Sequence, residues 1–347
     1  RIIQQILDWK PQLVILDESH KIKRSTTRKA KACHRLRKAP LRVILTGTSI
    51  TNSPLDIFSQ WKFLNHKRLG DSFVRFRDEY AVMSGYGGRS WVKQYKNLST
   101  LASTIAPDAH VVLKKDALDL PEKLPQLIPF YLDPPTQRIY SHMEASMLAD
   151  FEDGDRIIAP IVLTKLLRLA QIASGFITDE GRLKLISTEK LDTLMDLLED
   201  YCIEPHRKVI VYVRFIPSLR RIQRELERTK LPYSIIKGGM TPSQRQQAER
   251  EFWKAEGPAI LLGQIEAAGI SIDLTCSSTA IFYELDYSVD HHIQAQDRLH
   301  RIGQRNPVNY LYLQGHSTVE EDIYEGLRSN EGTAAAVVER IRARRAS

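Results

Sequence analysis

The chain has 347 residues, 42% hydrophobic and 27% charged, which suits two domains that each bury a core. Its 50 Lys and Arg against 42 Asp and Glu leave +8, a balance that favours polyanionic partners without proving them. No apolar run approaches the roughly 20 residues that span a bilayer, no signal peptide is visible, and Cys33, Cys202 and Cys276 lack metal spacing, so membrane, secreted-disulfide and zinc classes are disfavoured and an intracellular protein is expected.

Residues 1–9 read as the end of a helix. Leu13-Val14-Ile15-Leu16 is a short apolar run of the kind buried on both faces of a parallel sheet, and Arg42-Val43-Ile44-Leu45 repeats it. Residues 25–38 between them are basic and helix-like. Asp17-Glu18-Ser19-His20 follows the first strand, where ligands gather in open α/β sheets. One carboxylate there can hold Mg²⁺ and the next can orient or deprotonate a water; a helix N-cap is the plainer alternative. After Pro54, the spacing of Leu55, Phe58, Trp61 and Leu64 predicts a core-packed helix. Gly85 to Gly88 marks a loop, read as part of a helical insertion. Prolines 121, 125, 129, 134 and 135 exclude a continuous helix over 119–135. Helical patterning returns over 136–175.

From residue 187 strands and helices alternate, which predicts a parallel sheet. The strands are Lys208–Val213, Tyr233–Ile236, Ala259–Leu262 and Thr279–Tyr283. Thr241-Pro242-Ser243-Gln244 fits a capping box. His291 and His292, being adjacent, face different directions. On a helix, Gln294, Arg298 and Arg301 would share one face, with two guanidiniums presented to an anion. Phosphoryl transfer needs such groups; a basic face held by salt bridges is the alternative. The tail Arg340 to Arg345 reads as a solvated end, with nucleic-acid contact as the alternative.

Asp17 to His20 matches the Asp-Glu-x-His (Walker B) signature of helicase-like ATPases. Arg42 to Leu55 resembles their third motif in its Swi/Snf-type form, with Ser49 where proline is usual. Lys208–Leu226, Lys237–Arg245, Leu261–Thr275 and Gln294–Gln304 resemble the later motifs, in order. The ending His300-Arg301-Ile302-Gly303-Gln304 is similar to that of Swi/Snf-type double-strand DNA translocases, and Asp17-Glu18-Ser19-His20 with Tyr283-Glu284-Leu285-Asp286 resembles their compact branch of annealing helicases and phage enzymes. The resemblance implies an α/β fold of two RecA-like lobes with ATP and Mg²⁺ between them. It implies boundaries of 1–64 for the first lobe, 65–106 for a helical insertion, 107–135 for a return to the first lobe, 136–186 for a helical linker, 187–317 for the second lobe and 318–347 for a helical tail.

Carried over by resemblance, Asp17 holds the metal, Glu18 the water, and Arg298 and Arg301 are arginine fingers. Gln294, Gln304 and Gly269 lie by the nucleotide. His20, Thr46, Gly47 and Thr48 couple nucleotide to DNA, and Gly238, Gly239, Thr241, Arg245 and Asn52 approach double-stranded or branched DNA. The helix N-terminus at Thr241 would offer N–H groups to a phosphate. Two departures stand out. The fifth motif keeps only Gly269 of its usual glycine run, and no Gly-x-x-x-x-Gly-Lys-Ser/Thr loop occurs. The expectation is a monomeric ATPase fragment whose phosphate loop lies upstream, inactive alone. An RNA-directed Asp-Glu-x-His helicase and a non-catalytic DNA-binding scaffold are the alternatives.

Overall fold

The computed structural model describes residues 2–47, 53–86, 89–152, 159–179, 182–203, 207–268, 272–329 and 334–346. The chain divides into two compact units, Arg1–Leu113 and Lys114–Ser347. Among the described residues no helix is long and apolar enough to cross a membrane.

The first unit is built on strands β1 (Leu13–Leu16) and β2 (Leu41–Ile44), paired in parallel with Leu13 opposite Leu41. The helix Arg28–Arg35 connects them, capped by Thr27, whose hydroxyl accepts from the Ala30 N–H. Burial on both faces was expected; only one face is covered. Val14 is buried against Ile22, Ala30, Leu36 and Phe63. Leu13, Ile15, Leu41 and Val43 are exposed at 48%, 52%, 62% and 39%. The helix Ile57–Leu64 forms as its spacing predicts and packs Phe58 and Trp61 into a second cluster with Phe76 and Tyr80.

The expected helical insertion over 65–106 contains helices Phe73–Tyr80 and Leu98–Ile105, but also an antiparallel hairpin of β3 (Ala81–Tyr86) and β4 (Arg89–Tyr95). Val82, Met83, Trp91, Val92 and Tyr95 belong to the residue types that fit a pleated surface, so the glycines join two strands rather than two helices. Gly87 and Gly88 lie outside the described residues.

The second unit holds β5 (Lys123–Phe130), a small hairpin of β6 (Phe176–Asp179) and β7 (Arg182–Leu185), and β8 (Lys208–Val213), β9 (Tyr233–Ile236), β10 (Ala259–Gln264), β11 (Thr279–Phe282) and β12 (Val308–Gly315). The main sheet is six-stranded and parallel in the order β5-β12-β11-β8-β10-β9. The proline-rich segment therefore does not return to the first unit. It is the edge strand β5 beside β12, where missing N–H groups at Pro125 and Pro129 are tolerated.

Side chains alternate between two buried layers across this sheet. Ile210, Tyr212, Leu261, Phe282 and Tyr312 face one layer, formed with the helices Pro134–Glu152, Ala159–Ala173 and Val319–Arg328. Val209, Val211, Ile260, Leu262 and Ile281 face the other, under Glu189–Ile203 and Ile216–Thr229. The C-terminal helix Ala334–Ala346 is not a solvated tail. It buries Val337, Val338 and Ile341, and Arg344 pairs with Glu144 at 2.9 Å and Asp322 at 3.0 Å.

One ion pair is wholly interior. Lys190, 2% exposed, bonds Glu320, which also accepts the Gly315 N–H at 3.0 Å, and its ammonium lies over the rings of Phe130 and Tyr283. Removing one member strands the other charge. Lys190→Met is expected to lower stability in urea titration by roughly 3–5 kcal/mol, and Lys190→Met with Glu320→Leu to recover most of it.

Candidate functional site

In the first unit, Asp17 and Glu18 form the turn at the carboxyl end of β1. Asp17 is exposed, and its Oδ1 accepts the Glu18 N–H at 2.8 Å. Glu18 adopts φ 53°, ψ 51°, a left-handed conformation that is costly for a residue with a β-carbon. It precedes the short 3₁₀ turn Ser19–Ile22 but its side chain makes no capping bond. Helix capping therefore does not explain it.

The neighbouring groups hold the strained turn in place. The Ser19 N–H donates to Leu45 O at 3.0 Å, and the Ser19 hydroxyl donates to Gln60 Oε1 at 2.7 Å. His20, buried, sets its Nδ1 3.2 Å from Thr46 Oγ1 and 3.2 Å from Glu18 Oε2. The acidic motif and the third motif are thus linked through one imidazole. Gly47 is exposed beside Thr46. Thr48 and Asn52 lie outside the described residues. The Ser19–Gln60 bond went unforeseen, because glutamine on an apolar helix face carries no sequence signal of its partner.

In the second unit the chemistry divides between the two rims of the sheet. At the carboxyl rim, Gly238 donates its N–H to Gln264 Oε1 at 3.0 Å, and Gly239 has φ 82°. A β-carbon on Gly238 would sit 3.2 Å from that glutamine oxygen, so the close approach favours glycine. The capping box forms as expected: Thr241 N–H donates to Gln244 Oε1 at 2.9 Å, and Gln244 N–H to Thr241 Oγ1 at 3.3 Å. This corrects the idea of a helix end with several N–H groups to offer. The box consumes those of Thr241 and Gln244, and Pro242 has none, which leaves Ser243 and the hydroxyls. Arg245 lies half-buried on the same turn. Gly269 lies outside the described residues.

Nearby, His291 bonds Asp286 at 2.6 Å, and this contact, with Glu266 close by, raises its pKa against the opposing effect of burial. The three offer ligand-type atoms within 4.8 Å of one another. His292 faces the other way, into the core against Tyr312, and burial pushes its pKa down to about 4.

The arginines lie at the opposite rim. The expected stripe is not a helix face: the helix Val289–Gln296 ends before Arg298. Asp297 caps it, donating its N–H to Ala295 O and Ile293 O, and turns carry the chain on to Gln304. Arg298 O accepts from Leu274 N at 3.1 Å, which anchors the turn to the segment entering β11. Gln294 is half-buried in the last turn of the helix. Arg301 is exposed and has no carboxylate partner among the described residues. Asp297, the nearest acid in sequence, is engaged by Lys114 at 2.7 Å and Lys123 at 3.7 Å.

Gln304 explains the shape of this loop. Its Nε2 donates to Ser277 O at 2.8 Å and Leu299 O at 3.3 Å, while its Oε1 accepts the N–H groups of Arg305 and Asn306 at 3.0 Å each. Gln304 N–H closes the turn on Arg301 O at 3.0 Å, and Gly303 supplies φ 105°. Gln304, expected beside the nucleotide, has its amide committed within the turn that carries Arg301. Gln264, Gln296 and Asp297 are further organising residues that sequence reasoning missed, since each works through a partner distant in sequence.

The profile described as "SNF2-related domain" matches residues 2–175, and that described as "Helicase conserved C-terminal domain" matches 189–303. The chain belongs to the SNF2-related family. Relatives include an uncharacterized ATP-dependent helicase of Mycoplasma pneumoniae, 26% identical over 89% of this chain and 29% of its own length. A SWI/SNF-related matrix-associated actin-dependent regulator of chromatin subfamily A-like protein 1 homolog of Caenorhabditis elegans is 30% identical over 90% of this chain and 44% of its own. The DNA annealing helicase and endonuclease ZRANB3 of Homo sapiens is 27% identical over 89% and 28%. The chain thus spans less than half of each of these relatives. The Sulfolobus solfataricus SWI2/SNF2 ATPase core solved with dsDNA shares the fold, with TM-score 0.51 and 24% identity over 95% of this chain and 72% of that one.

Gln304→Ala is expected to destabilise the protein by about 1–3 kcal/mol in urea titration, because buried carbonyl and amide groups lose their partners. A change below about 0.5 kcal/mol would show that the turn holds without its glutamine.

Proposed function

We propose that the intact protein is an ATP-dependent translocase on double-stranded DNA, acting in fork or branch processing, remodelling or displacement of bound proteins. The observation that carries this reading is the Gln304-braced turn, which presents Arg301 to solvent while lysines engage the adjacent Asp297. A guanidinium held in this way can neutralise charge that develops on a transferred phosphoryl group without reorganising.

Asp17 and Glu18 supply the complementary acidic groups. The exposed Asp17 carboxylate is a hard oxygen donor of the type Mg²⁺ prefers, and Mg²⁺ bound there would supply positive charge to phosphate oxygens. Glu18, fixed in its left-handed turn and contacted by His20, would orient or deprotonate the attacking water. His20 joins Glu18 to Thr46, so a shift at the acids is passed to the third motif. Arg298 accompanies Arg301, and Gln294 lies on the helix leading to them. Gly238, Gly239, Thr241 and Arg245 would contact the DNA backbone through hydroxyl groups and close backbone approach, with little sequence preference.

The phosphate loop is taken to come from polypeptide outside this sequence. The exposed apolar face of β1 and β2 supports that reading, because a two-stranded parallel pair with one bare face is an incomplete layer. The protein would work inside the cell, as a monomer on DNA.

In the intact protein, Glu18→Gln should retain ATP binding and abolish turnover; wild-type turnover would remove Glu18 from the mechanism. Arg301→Ala should reduce duplex-stimulated ATPase at least about 10³-fold, and a loss below tenfold would mean that it is not a finger. Stimulation by duplex DNA should exceed that by RNA, and the reverse order would assign the protein to RNA.

A further inference from the structure

The segment from Lys21 to Lys38 holds nine Lys and Arg and no Asp or Glu, against a net charge of +8 for the whole chain, so everything else sums to −1. None of the roles assigned above uses these cations. The fold gathers several of them around an open cleft of about 520 Å³ in the first unit. Lys31 and Arg35 reach it from the helix Arg28–Arg35, Arg37 and Lys38 from the turn that follows, and Lys62 from the separate helix Ile57–Leu64.

Compensation inside the protein is slight. Arg35 bonds the neutral Gln4 side chain at 2.7 Å. Arg37 has only Asp71, 4.0 Å away and largely exposed. Lys31, Lys38 and Lys62 have no carboxylate partner among the described residues. His34 lies in the same wall and donates its Nε2–H to Ser59 O at 2.9 Å. Burial lowers its pKa, and Lys62 and Arg37 push the same way against the Ser59 contact.

A helix C-terminus favours one or two cations in its last turn, but that does not bring Lys62 across from another helix. The cations sit on long flexible stems along a broad cleft, with no ring of fixed donors to enclose a single phosphate. From Lys31 to Lys38 the chain rises roughly 10 Å at helical pitch, enough to follow about three phosphates of one strand.

We propose that this cleft is an additional contact for the phosphodiester backbone of double-stranded DNA, separate from the glycine turn at Gly238. It rests on the translocase reading and adds to it a named anchoring surface on the first unit, one that grips DNA by charge and reads no sequence.

The test is duplex binding by the 347-residue chain, followed by fluorescence anisotropy over a range of salt. The variant Lys31→Gln, Lys38→Gln, Lys62→Gln should bind at least about tenfold more weakly at low salt, equally for unrelated sequences. Its log–log salt slope should be shallower by about 2–3, with an unchanged thermal melt. Asp71→Asn, which removes the lone acid, should tighten binding. A control that removes the exposed Lys93, Lys96 and Lys184 should leave the slope near wild type. Wild-type affinity and slope in the cleft variant, or an equal loss in the control, overturns the cleft assignment alone. If the wild-type chain binds no duplex at all, the translocase reading fails and the cleft assignment falls with it.

Discussion

A parallel sheet buried on both faces can carry polar chemistry only at the ends of its strands. The second unit obeys that constraint throughout. Val209 to Val213 and Ala259 to Gly263 are buried residue after residue, so functional side chains appear only where strands stop. The carboxyl rim carries Gly238, Gln264, Asp286 and His291, and the amino rim carries the arginine turn. The helix Val289–Gln296 connects them. It starts beside Asp286, whose carboxylate accepts the Ser288 N–H, and it ends where Tyr310 donates to Gln296 O.

That helix is held along its length. Phe282 stacks on Tyr312 with centroids 4.9 Å apart, His292 packs against both, and Gln296 donates to the Tyr312 hydroxyl. This helix of eight residues is thus fixed at both ends and along one side. The connection is packing and hydrogen bonding within one core.

The first unit is organised differently. Its parallel strands β1 and β2 are only four residues each, and one face of the pair is bare. Its order around the acids comes from polar bonds: Ser19 to Gln60, Ser19 to Leu45, and His20 to Thr46 and Glu18. Together these hold Glu18 in a conformation its side chain disfavours, and such strain recurs at sites where geometry is used rather than merely tolerated.

Much of this was legible from residue order. The apolar runs marked the strands, the Thr241 box marked a helix start, and the ordered motifs identified the family, because strand burial and capping are local matters of residue type and spacing. What spacing could not supply was the partner of each polar group. Periodicity alone extended the helix through Arg301, whereas the helix stops at Gln296 with Asp297 as its cap, and Gln304 ties the following turn to Leu299 O and the distant Ser277 O. The proline-rich stretch suggested a return to the first lobe, whereas an edge beside β12 accommodates it. The terminal arginines suggested a solvated tail, whereas Glu144, some 200 positions away, captures Arg344. The sequence by itself determined the family, the strand cores and the chemical types at the site. Only the tertiary structure decided where helices stop, which amides brace the arginine turn and where the basic residues converge, because those outcomes depend on contacts between residues far apart along the chain.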